Sequence, residues 1–307
     1  MKFRFVLRRL LVTVPMVLVV ITLTWALIRL APGNFYQGER PLPPGIERNI
    51  RARYGLDQPW YVQYGKVMGN ILRLDFGSSL RFENETVNDI LRRTVPVSAS
   101  IGALAYLLAL VVGVTMGTLA ALKQNSATDY AAMGLSMLGL SVPNFVLGPI
   151  LVLVFSLSLY WLPPARWGGF PSWNLVLPVL TLSAVYTAYI ARLTRAGMLE
   201  VLRSDYIRTA RAKGLTERQV VVRHALRGGL LPVVSFTGPA LALLITGTVV
   251  VERIFAMPGL GNYFINANLS RDEPLILGIV AFASVMVLVF NLLVDVAYGF
   301  IDPRIRY

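Results

Sequence analysis

The sequence predicts an all-α membrane protein of six transmembrane helices with both termini on the cytoplasmic side. Three observations carry that expectation. Hydrophobic residues make up 55% of the 307-residue chain and charged residues only 15%, where a soluble domain carries about 25% charged residues; the mean hydropathy is +0.61. Six stretches, roughly 10–30, 97–122, 131–160, 174–193, 231–251 and 275–299, are apolar over the about 20 helical residues that a ~30 Å hydrocarbon core demands. The net charge is +13, and the basic residues lie between the apolar runs rather than in one patch. That pattern fits loops facing an anionic inner leaflet, and no nucleic-acid partner is expected.

The first span follows "MKFRFVLRRL", which has the charge pattern of a signal peptide. Its apolar run is longer than the ~7–15 residues of a cleaved signal, and no A-x-A-like site follows, so it is expected to stay as a helix. Residues 31–96 form an extracytoplasmic segment with helical stretches. Asp57 can cap a helix with Pro59 in its first turn, after which Trp60, Tyr64, Val67, Met68 and Ile71 share one face. A second amphipathic piece is expected near 85–93, aligning Val87, Ile90 and Leu91. A segment of about 67 residues with so little core is marginal alone and is expected to pack on the membrane helices. Asn84-Glu85-Thr86 matches a glycosylation sequon, a tripeptide common by chance. The remaining 97–307 then form a five-helix core with a cytoplasmic loop at 194–230.

Lys and Arg set the orientation. Lys2, Arg4, Arg8 and Arg9 precede the first span, and Arg304 and Arg306 end the chain. The loop from 192 to 230 carries nine cations: Arg192, Arg195, Arg203, Arg208, Arg211, Lys213, Arg218, Arg223 and Arg227. Six crossings put all of these on one side, which the positive-inside rule makes cytoplasmic.

What the spans lack narrows the function. Arg29 lies at the outer end of the first run and Asp295 near the inner end of the last. The apolar cores otherwise offer no titratable carrier of the kind that ion-driven pumps keep at membrane depth; sodium sites built from backbone carbonyls stay open on this argument. No H-E-x-x-H, no facing aspartate pair, no G-x-S-x-G elbow and no G-x-x-x-x-G-K-[ST] phosphate loop is present. There are no cysteines, and His224 is the only histidine, which removes thiolate and multi-histidine metal sites. The chain is expected to be no enzyme, to bind no metal or cofactor itself, and to draw any energy from a partner.

The stretch "RTARAKGLTERQ" (208–219) is the most informative. Ser204 can cap a helix over about 205–213, with Asp205 favourable in its first turn and Arg211 and Lys213 near its end. Gly214 suits the left-handed position after that helix, and Thr216 with Gln219 reads as a capping box that starts a second helix. That second helix runs to Gly228-Gly229, and Leu231-Pro232 opens the fifth span. One reading is a surface helix lying on lipid headgroups through its arginines. The other is a helix seated in a protein groove, because Tyr206, Ile207, Ala210 and Ala212 make only a small apolar face.

"YIRTARAKGLTERQVVVRHALRGGLLPVV" resembles the cytoplasmic loop of membrane subunits of bacterial ATP-binding-cassette importers of the peptide and nickel class. The resemblance runs nearly the whole chain: "FVLRRL", "APG", "YGLDQPWYVQY", "LDFGSSLRF", "ERIFAMPGLG" and "DPRIRY". "GERPLPP" and "LAALKQN" are similar to the first permease subunit of oligopeptide importers. The general loop pattern begins Glu-Ala-Ala; here Arg208-Thr209-Ala210 stands in that register before Gly214, and Leu231-Pro232 comes later than the general spacing. The resemblance implies a type I importer permease fold in the inner membrane and a second homologous permease subunit. It also implies two cytoplasmic ATPase subunits that hold ATP and Mg²⁺, and an extracytoplasmic peptide-binding protein. Asp205, Tyr206, Arg208, Thr209, Ala210, Arg211, Lys213, Gly214, Leu215 and Thr216 would then form the ATPase-coupling surface, with Arg208, Arg211 and Lys213 meeting acidic groups on the ATPase.

Polar side chains at span depth are the candidates for the substrate path. Ser141 and Asn144 flank Pro143 in the third span, Tyr186 and Thr187 lie in the fourth beside Thr181, and Thr237 and Thr246 lie in the fifth beside Ser235. Such hydroxyls also serve helix packing. Dipeptides, nickel complexes or another small ligand remain alternative cargoes. A passive channel or a membrane scaffold is the alternative class, and neither needs the glycine-cornered helix pair.

Overall fold

The computed structural model describes residues 2–31, 45, 55, 57–82, 84–164 and 166–301, with side chains from 11 in the first helix to 298 in the last. The side chains of Lys2, Arg4, Arg8 and Arg9, the stretch 38–44, and Arg304 and Arg306 lie outside the described set. The described helices are α1 (Lys2–Leu30), α2 (Trp60–Leu72), α3 (Val87–Leu122), α4 (Ala127–Ser141) and α5 (Asn144–Leu151, continued by Val152–Ser158). Then follow α6 (Val176–Leu202), α7 (Asp205–Ala212) and α8, which joins Glu217–Gln219, Val220–Ala225 and Leu226–Gly229. The chain closes with α9 (Leu231–Ile245), α10 (Val249–Ile254), α11 (Leu260–Ser270) and α12 (Glu273–Ile301).

Close glycine contacts give the direction of each crossing. A Cβ on Gly113 of α3 would come within 2.8 Å of Ile190, and one on Gly117 would collide with the Ala191 carbonyl, so α3 and α6 run parallel. Chain that leaves one of two parallel spans and enters the other must recross the membrane between them. It does so through α4, which runs antiparallel to α6: Asp129 pairs with Arg195, and Gly139 abuts Ala184. Helix α9 is antiparallel to α3, since Gly102 meets Leu244 and Tyr106 bonds Thr237. Helix α12 is antiparallel to α9, with Gly238 against Asn291 and the Tyr298 hydroxyl donating to the Leu231 carbonyl at 3.0 Å. Helix α1 returns along α12, its Arg29 pairing with Glu273 at 3.2 Å. Among the described residues the result is six crossings, with the bent pair α4–α5 counted as one. Hydrocarbon supplies no hydrophobic drive between helices, so close backbone approach at small residues holds them together.

Two spans differ from the continuous runs expected. The third begins at 127, not 131, and is bent by 102° between α4 and α5. Pro143 removes an amide donor and forces the preceding residue out of the helical region; Val142 accordingly sits at φ −91°, ψ 113°. The fifth is broken at 246–248, where Gly247 has φ +104°. The pieces beyond the two breaks meet: Gly148 of α5 lies against Ile254 and Phe255 at the end of α10.

The outer segment packs as its pattern predicts, with two corrections. Pro59, not Asp57, takes the N-cap position of α2. The piece near 85–93 and the span 97–122 are a single helix, capped by Thr86 at Asp89 N–H and running through Pro96. Tyr64, Val67, Met68 and Ile71 pack on Ile21, Trp25, Leu277 and Ala281, whereas Trp60 is exposed. Tyr64 hydroxyl and Thr22 share a 2.8 Å hydrogen bond.

Candidate coupling surface and translocation path

Helix α6 ends at Leu202, and Ser204 starts α7 from an extended backbone; its hydroxyl donates back to the Val201 carbonyl rather than capping α7. Ile207 and Ala210 are buried against Ala121, Met198, Val220, Val221 and Ala225. Two of the four residues of the small apolar face of α7 are therefore spent inside this chain, while Tyr206 and Ala212 stay exposed. Asp205, Tyr206, Arg208, Thr209, Arg211, Lys213, Gly214 and Thr216 face outward, Leu215 is half-buried, and Ala210 is buried.

The corner after α7 is a Schellman motif. Leu215 N–H donates to the Ala210 carbonyl at 3.4 Å and Gly214 N–H to the Arg211 carbonyl at 2.9 Å, while Leu215 packs in the same cluster as Ala210. Gly214 has φ +79° with open space where a Cβ would point, so glycine is needed there for its backbone and not for packing. Thr216 and Gln219 form both halves of the expected capping box. Arg211 bridges the corner to Glu217 at 2.8 Å, and that hydrogen-bonded guanidinium holds the Glu217 carboxyl below the usual carboxylate range. Arg208 lies 3.4 Å from Asp205, both largely exposed, an arrangement of little energetic value. Arg211 and Arg208 thus already have acidic neighbours within the chain.

The corner is also locked to the span before it. A Cβ at Gly197 of α6 would collide with the Gly229 carbonyl of α8, and one at Gly229 would come within 2.6 Å of the Met198 sulfur. Helices α6, α7 and α8 form one packed block at the cytoplasmic pole.

The hydroxyls expected along the path donate within their own helices: Ser141 to Met137, Thr181 to Leu177, Thr237 to Val233 and Thr246 to Ala242, all at 2.8–2.9 Å. Ser235 contacts the Leu231 carbonyl and the Tyr298 hydroxyl. Thr181 is fully buried, and Thr187 is half-buried with its carbonyl at Gly113. Tyr186 joins Tyr189 and Phe236 in an aromatic group, centroids 6.2 and 5.6 Å from Phe236, beside the Thr237–Tyr106 hydrogen bond. Asn144 and Thr246 stand at the two helix breaks, and the buried Asn144 Oδ1 has no hydrogen-bond partner. Sequence reasoning missed Tyr106, Tyr189 and Phe236, because single aromatics in an apolar span carry no distinguishing pattern.

It also missed two buried carboxylates at the outer pole. Glu252 accepts from Ser98 hydroxyl at 2.7 Å and Gly261 N–H at 2.9 Å. Asp272 accepts from Ser79, from Leu80 and Arg81 N–H at 3.1 and 3.2 Å, and from Leu275 N–H at 3.2 Å. Among the described residues no cluster of His, Asp and Glu could hold a metal ion.

A family described as binding-protein-dependent transport system inner membrane component matches residues 113–307. Over 304 residues the chain is 46% identical to the oligopeptide transport system permease protein OppB of Salmonella typhimurium, a match that covers 99% of both chains. It is 42% identical over 303 residues to the dipeptide transport system permease protein DppB of Bacillus subtilis, covering 99% of this chain and 98% of that one. A chain of the MetNI methionine ABC transporter, solved in inward-facing conformations, superposes with a TM-score of 0.58 at 16% identity, over 69% of this chain and 96% of that chain. At that identity the superposition speaks for the fold alone.

Proposed function

The chain belongs to the binding-protein-dependent transport system inner membrane components, and from that premise we propose that it is the permease subunit through which an ATP-driven importer passes oligopeptides. It is a multi-pass inner-membrane component, and the ATPase is a separate subunit of such a system. Relatives of this length that are permeases for oligopeptides support the cargo; the dipeptide permease at 42% identity keeps dipeptides as the second reading. A second homologous permease subunit would complete the path. Two ATPase subunits would hold ATP and Mg²⁺ beneath, and a peptide-binding protein would dock on the extracytoplasmic side. The core 97–307 would carry the path, with 194–230 as its coupling loop.

One observation carries the coupling role. Helix α7 buries Ile207 and Ala210 in its own chain and leaves a mainly polar face exposed, with Tyr206 and Ala212 its apolar members, at a corner whose second helix is packed tightly on α6. A helix lying on lipid would do the reverse and turn its apolar face outward. Asp205, Tyr206, Arg208, Thr209, Arg211, Lys213 and Thr216 would contact the ATPase, and Ala210, Gly214 and Leu215 would shape the contact from behind. Asn144 and Thr246 at the helix breaks, with Ser141, Tyr186, Thr187 and Thr237, would line the path. Path residues without a fixed charge suit peptides of varied sequence.

The test is uptake of labelled peptides of graded length into proteoliposomes holding the whole transporter, with wild type and Gly214→Trp. The variant should insert and assemble but lose uptake while ATP hydrolysis continues. Uptake at the wild-type rate would remove the coupling assignment, and a preference for two-residue cargo would move the substrate to dipeptides.

A further inference from the structure

The third span is broken, and the residues that tie its cytoplasmic foot to the coupling block are specific. Asp129, in the first turn of α4, is 3% exposed in its side chain and meets Arg195 of α6. The pairing is bidentate, Nε to Oδ1 at 2.7 Å and Nη2 to Oδ2 at 2.6 Å. Oδ2 also accepts from Asn125 N–H at 2.9 Å. A Cβ on Gly117 of α3 would run into Ala191, Thr194 and the Arg195 amide, so the backbone of α6 is seated closely on α3 at Arg195.

Arg195 and Met198 are three residues apart on one continuous helix, about 4.5 Å along its axis. Met198 shares one apolar cluster with Ile207 and Ala210 of the coupling helix and with Val220, Val221 and Ala225 of α8. Any displacement that α7 delivers to Met198 therefore reaches Arg195 within a turn. Beyond Asp129, only Ala132 and Ser136 of α4 are buried, while Tyr130, Leu135 and Leu138 are exposed. Its other close approach is Gly139 to Ala184, just before the 102° bend.

Covering a carboxylate with a guanidinium that is itself 27% exposed is an inefficient source of stability, because an apolar pair of similar volume holds helices at least as well. What a forked guanidinium–carboxylate pair adds is a fixed direction and register between the two helices. We infer that the Asp129–Arg195 pair is the positioning link that carries movement of the coupling helix into the broken third span, so that the bend at Pro143 follows the ATPase cycle. This rests on the coupling role proposed for α7.

The experiment uses the complete transporter in proteoliposomes with its binding protein, and reads peptide taken up per ATP hydrolysed. Asp129→Asn keeps the shape and an acceptor for Asn125 N–H but removes the charge. It should still hydrolyse ATP under stimulation by the loaded binding protein, while uptake per ATP falls about tenfold, within the range of ordinary coupling energies. The reversed pair, Asp129→Arg with Arg195→Asp, should recover most of the ratio. An unchanged ratio in Asp129→Asn overturns the inference, and so does loss of assembly or of hydrolysis together with uptake, which would make the pair a folding element. Failure of the reversed pair to recover the ratio overturns it as well, by assigning the effect to polarity at the site. Gly214→Trp in the same preparation separates the two readings: if it uncouples and Asp129→Asn does not, the link alone fails, and if neither uncouples, the coupling role of α7 fails with it.

Discussion

The outer pole and the coupling corner at the cytoplasmic pole are held by opposite means. At the outer pole, two carboxylates point inward: Glu252 and Asp272 are 1% and 0% exposed, Asp272 gathering the distant amides of Leu80 and Arg81, and Glu252 the nearby Gly261 amide with the distant Ser98 hydroxyl. At the cytoplasmic pole the carboxylates of Asp205 and Glu217 point outward and pair with Arg208 and Arg211 in water. There the backbone of α7 and α8 is fixed by local motifs and by glycine contacts with α6. The outer pole spends its polar groups on its own integrity. The coupling corner leaves them exposed, as the proposed contact with an ATPase subunit would require.

Removing the outer anchors should therefore cost more than removing the inner ones. Asp272 both caps the start of α12 and receives the amides of Leu80 and Arg81, and each buried donor left unpaired costs about 1–3 kcal/mol. Asp272→Ala should thus destabilise the chain by several such increments, seen as a large drop in unfolding temperature in detergent; an unchanged temperature would erase the contrast between the poles. Glu252→Gln is milder, because one amide oxygen still accepts, but its NH₂ faces the Ser98 hydroxyl or the Gly261 amide. A loss of about 1–3 kcal/mol is expected, read by the same thermal unfolding.

The inner pole should barely respond. Arg211→Ala removes an exposed pair worth at most about 1 kcal/mol, and the unfolding temperature should stay close to wild type. The sign with pH is fixed by Glu217, whose folded pKa is lowered by its hydrogen bond from Arg211. Its small contribution is present above the unfolded carboxylate value and disappears as pH falls through the lower folded value. Arg211→Ala should flatten that acid-side slope; an unaltered slope would mean the pair contributes nothing.

Legibility followed sequence distance. Gly214 and the Thr216–Gln219 box were readable because each motif closes within a few residues and the chemistry of each position is local. The bend at Pro143 was present in the sequence, but an unbroken apolar run outweighed one proline, and only the packing of α5 on α10 fixes where the chain goes next. Ile207 and Ala210 read as an outward apolar face too small for lipid; their burial depends on Val220 and Met198, which a helical period cannot place. Glu252 lies just past the fifth apolar run, where nothing local in the sequence marks it as buried.

By itself the sequence determined that the chain crosses a membrane, which side is cytoplasmic, and that a glycine-cornered helix pair sits there, because hydropathy, charge and turn chemistry act over short stretches. The tertiary structure alone decided which buried carboxylates meet which donors. Ser79 and Asp272, Asp129 and Arg195, and Ser98 and Glu252 are 193, 66 and 154 residues apart. A buried charge is tolerated only where specific partners converge on it, and only the packed helices bring them together.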